Sequence, residues 1–209
     1  MEVTPNNQAE PLAFPLPLFK SVRIGEALGK DGSRFFIFAG LDEKMAEELK
    51  TLSLDESDTD LQQNTSDQKR FGEGEYKNWY EKNRTPFALI HATTNDLAAI
   101  AWFGPKALGQ KSEKYLTEKE KTAVKNSPAE TAWHTISYRC YPRFRGKGLM
   151  KGFVRFVMNL YIKKNPNIKL WAGLDAKNVA SGGLAAALGF KPDEQHSDPD
   201  KHWLVMVKE

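Results

Sequence analysis

Residues 143 to 148 read Arg-Phe-Arg-Gly-Lys-Gly, between a strand-like run at 131–141 and an amphipathic, helix-like run at 149–164. A glycine turn between strand and helix can cradle an anion. Glycines let the main chain approach a ligand closely, and the free N–H groups of the helix's first turn carry the positive end of its dipole. Arg143, Arg145 and Lys147 add formal charge at the same place. The chemistry suggested is the binding of a nucleotide or coenzyme through its pyrophosphate.

The elements that must position this turn follow from pattern. Residues 1–20 contain Pro5, Pro11, Pro15 and Pro17, which argues against a helix or a central strand and for an extended arm docked through Phe14, Leu16, Leu18 and Phe19. Residues 34–39 read as a strand. Residues 42–52 read as a helix with Asp42 at its N-cap and Met45, Leu49 and Leu52 on one face. The stretch 54–70, with Asp55, Glu56, Asp58 and Asp60, has little to bury and is expected to be a mobile loop. Two apolar runs, 86–92 and 97–103, flank a polar tip and predict a β-hairpin. A helix is expected near 117–125, a strand at 168–174, a small-residue helix at 179–188 and a last strand at 203–208. A hairpin combined with one crossover implies a mixed sheet, an α/β fold of the α+β kind. The expected division is an arm, 1–32, packed on a domain, 33–209.

Composition narrows the function. Thirty Lys and Arg against 27 Asp and Glu leave a net charge of +3, which makes neither a nucleic-acid nor a membrane-binding surface. The lysines of 111–125 alternate with Glu113, Glu118 and Glu120 and read as a solvated face. The single cysteine, Cys140, excludes an internal disulfide and a cysteine-cluster metal site, and His196 and His202 are too isolated for a metal. No apolar run approaches the roughly 20 residues that span a bilayer, so a soluble, cytoplasmic protein is expected.

Two kinds of phosphate cradle compete. Gly146, Gly148 and Gly152, with Asp175 after the next strand, approximate a dinucleotide-binding fingerprint. Too little chain follows Asp175 for the remaining crossover units, and a hairpin precedes the turn where strand–helix units would be required. The other reading rests on Arg143-Phe-Arg-Gly146-Lys-Gly148, which resembles motif A of the GNAT superfamily of N-acetyltransferases, Arg/Gln-x-x-Gly-x-Gly/Ala. The strand ending in Tyr141-Pro142 and the run from Asn178 to Leu188-Gly189-Phe190 are also similar to that family. The resemblance covers about residues 33 to 208 and implies a GNAT-like mixed central sheet flanked by helices, with acetyl-CoA as cosubstrate.

The resemblance further implies that the main chain of Arg145, Gly146, Lys147 and Gly148 holds the pyrophosphate, with Arg143 beside it. The strand through Tyr138, Cys140 and Tyr141 would pair with pantetheine, and Asn178 would open the next helix at the coenzyme. An amine attacks a thioester only as free base, and with a pKa near 10.4 roughly one in 2,500 is neutral at pH 7, a handicap of roughly 4.6 kcal/mol. His134, nine residues before Arg143, resembles the proton relay of arylalkylamine N-acetyltransferases and is the expected base, against the plainer reading of a core histidine on the face shared by Ile136, Tyr138 and Cys140. Many family members carry a thiolate-protonating tyrosine where this chain has Ala185, so either another donor serves, with Ser181 and Tyr141 as the candidates, or water does, or else the protein is a coenzyme A or acyl-CoA binding module with little catalysis. The expected acceptor is a primary amine of a small molecule or peptide, attracted by the acids of 55–60 and lined by Tyr76, Trp79 and Tyr80 unless these are a solvated loop and a packed helix. A second copy of the chain is the only further partner allowed for.

Overall fold

The computed structural model describes residues 1–6, 12–111, 115–116 and 132–208. Among the described residues, nine strands form one sheet in the order β1-β2-β3-β4-β5-β6-β7-β9-β8. They are β1 (Glu2–Pro5), β2 (Val22–Leu28), β3 (Arg34–Ala39), β4 (Thr85–His91), β5 (Leu97–Pro105), β6 (Trp133–Cys140), β7 (Lys169–Asp175), β8 (Lys191–Pro192) and β9 (Trp203–Lys208). Every neighbouring pair is antiparallel except β6 and β7. These two are joined by helix α4 (Met150–Lys164), since parallel strands need a crossover.

The hairpin β4–β5 forms as its two apolar runs require, and both strands are buried on both faces. One face packs on α4 through Phe153, Val154, Val157 and Tyr161, and on α5 (Val179–Ala187) through Ala185. The other face carries α1 (Glu43–Leu54) and α3 (Tyr76–Tyr80), whose Leu49, Tyr76, Trp79 and Tyr80 pack with Ile100 and Trp102. Asp42 caps α1 as expected, its carboxylate accepting the Met45 amide at 2.9 Å.

Two expectations need correction. Residues 22–28, assigned to the arm, form a full strand inside the sheet. Gly25 and the register shift between Arg23 and Gly25 break the alternation that would have marked it. Earlier in the arm, residues 2–5 form the edge strand β1, while Leu16 is buried and its carbonyl accepts from the Tyr80 hydroxyl. The polar stretch 54–70 is not a loop: it holds α2 (Thr59–Asn64) and leads into a π-type turn, Gln68–Gly72. The helix expected near 117–125 lies outside the described residues.

Candidate functional site

The parallel ladder between β6 and β7 consists of three pairs, Trp133 with Lys169, His134 with Leu170 and Thr135 with Trp171. Beyond Thr135 the strands part: β6 continues against β5 as far as Cys140, and β7 against β9 as far as Asp175. The divergence opens a cleft of roughly 1640 Å³ whose walls include Ile136 to Cys140 on one side and Ala172 to Asp175 on the other. An extended ligand entering here would meet the unpaired edge of β6. The glycine turn closes one end of the cleft, and the starts of β4 and β6 lie at the other.

At the turn, Gly146 and Gly148 take φ of 74° and 68°, the left-handed region that glycine enters without strain. A Cβ on either would meet nothing within 4 Å, so the surface above the turn is open. Helix α4 then starts at Leu149 with no side-chain cap. Among the described residues no acceptor takes the amides of 146 to 149. These donors, at the positive end of a 15-residue helix, could hold an anion. The basic side chains around them are engaged elsewhere. Arg143 pairs with Asp96, Lys147 lies 3.6 Å from Asp31, and Arg145 holds Asp58 through two bonds of 2.7 and 2.6 Å while its Nε donates to the Cys140 carbonyl at 2.8 Å. An anion placed here would therefore meet main-chain donors, with Arg145 fixing the turn's shape.

Asp58 is itself buried and caps α2, accepting from the Leu61 amide at 3.1 Å. Asp58, one of the acids thought to attract a cationic acceptor, thus serves the fold. Asp67, also buried, receives Arg139 through bonds of 2.5 and 3.1 Å and pairs with Arg70. Burial alone would raise its pKa, but Arg139 and Arg70 outweigh burial and hold the carboxyl below its ordinary range.

Helix α5 begins opposite β6. Asn178 accepts the Ser181 amide at 2.9 Å, and the Tyr138 hydroxyl donates to the Ser181 carbonyl at 2.9 Å while the Ser181 hydroxyl lies 3.2 Å from the Tyr138 oxygen. Tyr138, Cys140, Arg145, Gly146, Gly148, Asn178 and Ser181 all border the cleft; Tyr141, Arg143, Lys147 and His134 do not. Tyr141 is buried on the opposite face among the α1–α3 residues. His134 sits at the far end of β6 from the turn, its Nδ1 2.7 Å from the Tyr161 hydroxyl in the core beneath α4, and burial, then Arg84, lower its pKa. Burial pushes the Cys140 thiol up to about 11, which leaves little thiolate at neutral pH. Ala185 is fully buried. Gly152 belongs to packing, not to a dinucleotide fingerprint, because a Cβ there would stand 2.9 Å from the Met1 carbonyl of the crossing edge strand.

Sequence reasoning missed Asp67, Arg139, Arg84, Lys106 and Trp102, all in or beside the cleft. Arg139 reaches Asp67 across 72 positions and Arg145 reaches Asp58 across 87, separations that no local pattern reports. Among the described residues no group of acids, histidines or cysteine could hold a metal ion, and no helix is long and apolar enough to cross a membrane.

A family model described as an acetyltransferase (GNAT) domain matches residues 42–191. Among solved structures, the GNAT domain of S. lividans PAT superposes with a TM-score of 0.56 at 11% identity, covering 88% of this chain and 94% of that one. RimL, the ribosomal L7/L12 alpha-N-protein acetyltransferase, was solved in complex with coenzyme A; it gives 0.54 at 16% identity, over 82% and 93%. AAC(6′)-Ib, in complex with ribostamycin and coenzyme A, gives 0.53 at 14% identity, over 78% and 88%. At these identities the likeness is one of fold. No curated protein matches the sequence.

Proposed function

Because the chain belongs to the GNAT acetyltransferase family, we propose that it is an acetyl-CoA-dependent N-acetyltransferase, passing the acetyl group directly to a primary amine of a small molecule or peptide. The observation that carries this reading is the open wedge between β6 and β7 ending on the uncapped start of α4. The amides of 146 to 149 would hold the pyrophosphate, and the unpaired edge of β6 from Ile136 to Cys140 would orient the pantetheine arm. The bound coenzyme supplies an activated acyl group. The family proteins RimL and AAC(6′)-Ib, solved with coenzyme A, fit such a use of the cleft. A thiol-release assay over a panel of amines tests the reading directly. Turnover with at least one primary amine is the expected result, and coenzyme A binding without turnover on any would favour an acyl-CoA binding module, the reading that Ala185 also permits.

For the departing thiolate, we assign the proton to the Tyr138–Ser181 hydroxyl pair, which spans from β6 to α5 inside the cleft. Burial raises the Tyr138 pKa, keeping its proton in place at neutral pH. Tyr138→Phe should lower kcat by about 10²-fold, the low end for loss of a general acid, with coenzyme A affinity unchanged. A kcat within a factor of two of the parent would dismiss this donor.

For the amine, we propose reaction from its free-base pool without help from His134. On this reading kcat/KM rises about tenfold per pH unit below the amine's pKa. His134→Ala should scale the whole profile equally at pH 7 and pH 9.5, through loss of its Tyr161 contact. A loss confined to pH 7 would reinstate His134 as the base.

A further inference from the structure

At the end of the cleft opposite the glycine turn, two partly buried cations have no carboxylate partner among the described residues. Arg84 precedes β4 and Lys106 follows β5, and strand pairing brings both beside the start of β6: Gly104 faces Thr135, and the Lys106 amide donates to the Trp133 carbonyl at 3.1 Å. Both side chains border the cleft. Arg84 lies flat on Gly104, where a Cβ would stand 2.9 Å from its Cδ and from its Nη1, so the glycine makes room for the guanidinium. The Nε and Nη1 of Arg84 are buried with no hydrogen-bond partner. The Lys106 ammonium stands 5.1 Å over the Trp171 ring. Among the described residues no carboxylate lies within 4 Å of either cation.

The other arginines of the cleft are matched: Arg139 and Arg70 by Asp67, Arg145 by Asp58. The contrast is energetic as well as geometric. An uncompensated buried charge is costly and persists where a ligand supplies the counter-charge. Burial, with Arg84 and Arg70 nearby, pushes Lys106 down to about 7, and burial with Arg70 pushes Arg84 to about 10, the behaviour of cations that lack a counter-ion.

We propose that Arg84 and Lys106 form a subsite for an anionic group, carboxylate or phosphate, carried by the amine acceptor. The proposal rests on the transferase reading of the same cleft. The planar fork of Arg84 suits two oxygens of one carboxylate or phosphate, Lys106 adds a point charge from the Trp171 side, and the acceptor's amine is left to reach toward the middle of β6. An acceptor bearing only positive charge would meet repulsion here.

Two measurements test it. The first compares matched acceptors that share one aliphatic amine: an ω-amino acid, its aminophosphonate, its primary amide and the amine lacking any acidic group. The kcat/KM for the acid or the phosphonate should exceed that for the amide at least about 30-fold, and whichever of the two is preferred identifies the anion. Arg84→Met and Lys106→Met should each erase most of that preference without changing the Kd for coenzyme A. Equal use of amide and acid, or a variant that loses both equally, overturns the proposal. The second measurement needs no turnover: with coenzyme A saturating, sodium sulfate should raise the Tm of the parent by several degrees more than sodium chloride at equal ionic strength, and should not do so for the Arg84→Met/Lys106→Met double variant. Equal sulfate shifts in both proteins, or none in the parent, overturn the subsite. A sulfate shift specific to the parent, with no turnover on any amine, keeps the anion subsite and rejects the transferase reading.

Discussion

Gly148→Asp is expected to weaken coenzyme A binding at least a hundredfold. Gly148 holds φ of 68° and faces open space above the turn, so an aspartate would project its carboxylate into the volume assigned to the pyrophosphate. Repulsion between the two anions, with the site's main-chain donors masked, need supply only about 2.7 kcal/mol for a hundredfold loss. Asparagine at the same position separates charge from conformation. Asn and Asp tolerate the left-handed region comparably, so Gly148→Asn should bind measurably tighter than Gly148→Asp while sharing its modest loss of Tm. Titration calorimetry with coenzyme A reads both variants. An unchanged Kd for Gly148→Asp would remove the pyrophosphate from this turn and, with it, the main support for the proposed function.

Asp67→Ala should carry the largest effect on stability. The carboxylate is buried between Arg139 and Arg70 and links the π-type turn to β6 across the cleft wall. Its removal leaves two partly buried arginines without a counter-charge. Loss of one partner from a buried pair typically costs about 3–5 kcal/mol, and because both arginines retain some exposure the lower figure, about 3 kcal/mol, applies. For a chain of this size that corresponds to a Tm lowered by roughly 6–12 °C. The pH dependence follows from the depressed pKa of Asp67. Stabilisation by a carboxylate whose folded pKa lies below its unfolded value is complete above the unfolded value, about 3.9, and is lost as pH falls through the folded one. The parent's Tm should therefore fall more steeply than the variant's below about pH 4, and the two curves should converge in acid. Parallel curves over that range would show that the ion pair contributes nothing to folding.

Local patterns were legible where they concern neighbours in the chain. The hairpin of β4 and β5, the Asp42 cap of α1, the strand–turn–helix around Gly146 and Gly148 and the final strand all agree with expectation, because alternation, capping and turn chemistry act over a few residues. Strand β2 was hidden by Gly25 and its bulge. Helix α2 was hidden because its acids look unburiable until Arg145 is brought to Asp58. The aromatic residues of α3 are core on the second face, Tyr80 fastening the arm at Leu16, and of the three Trp79 alone borders the cleft.

By itself the sequence determined the strand, glycine turn and helix start proposed to cradle an anion, since the glycines at 146 and 148 and the helix that follows define them within a few residues. It also determined the mixed sheet, which the order of hairpin and crossover imposes. Only the tertiary structure decided how the charges divide. Coulombic and hydrogen-bonding partners 72 and 87 residues apart meet beside the cleft, where Asp58 neutralises Arg145, which looked available for phosphate, and Asp67 neutralises Arg139. Among the described residues the same folding leaves Arg84 and Lys106 without a carboxylate partner at the other end of the cleft, and it sets the half-buried His134 against Tyr161. Which ionisable groups face one another depends on strand pairing and chain reversal, and spacing along the chain carries no record of it.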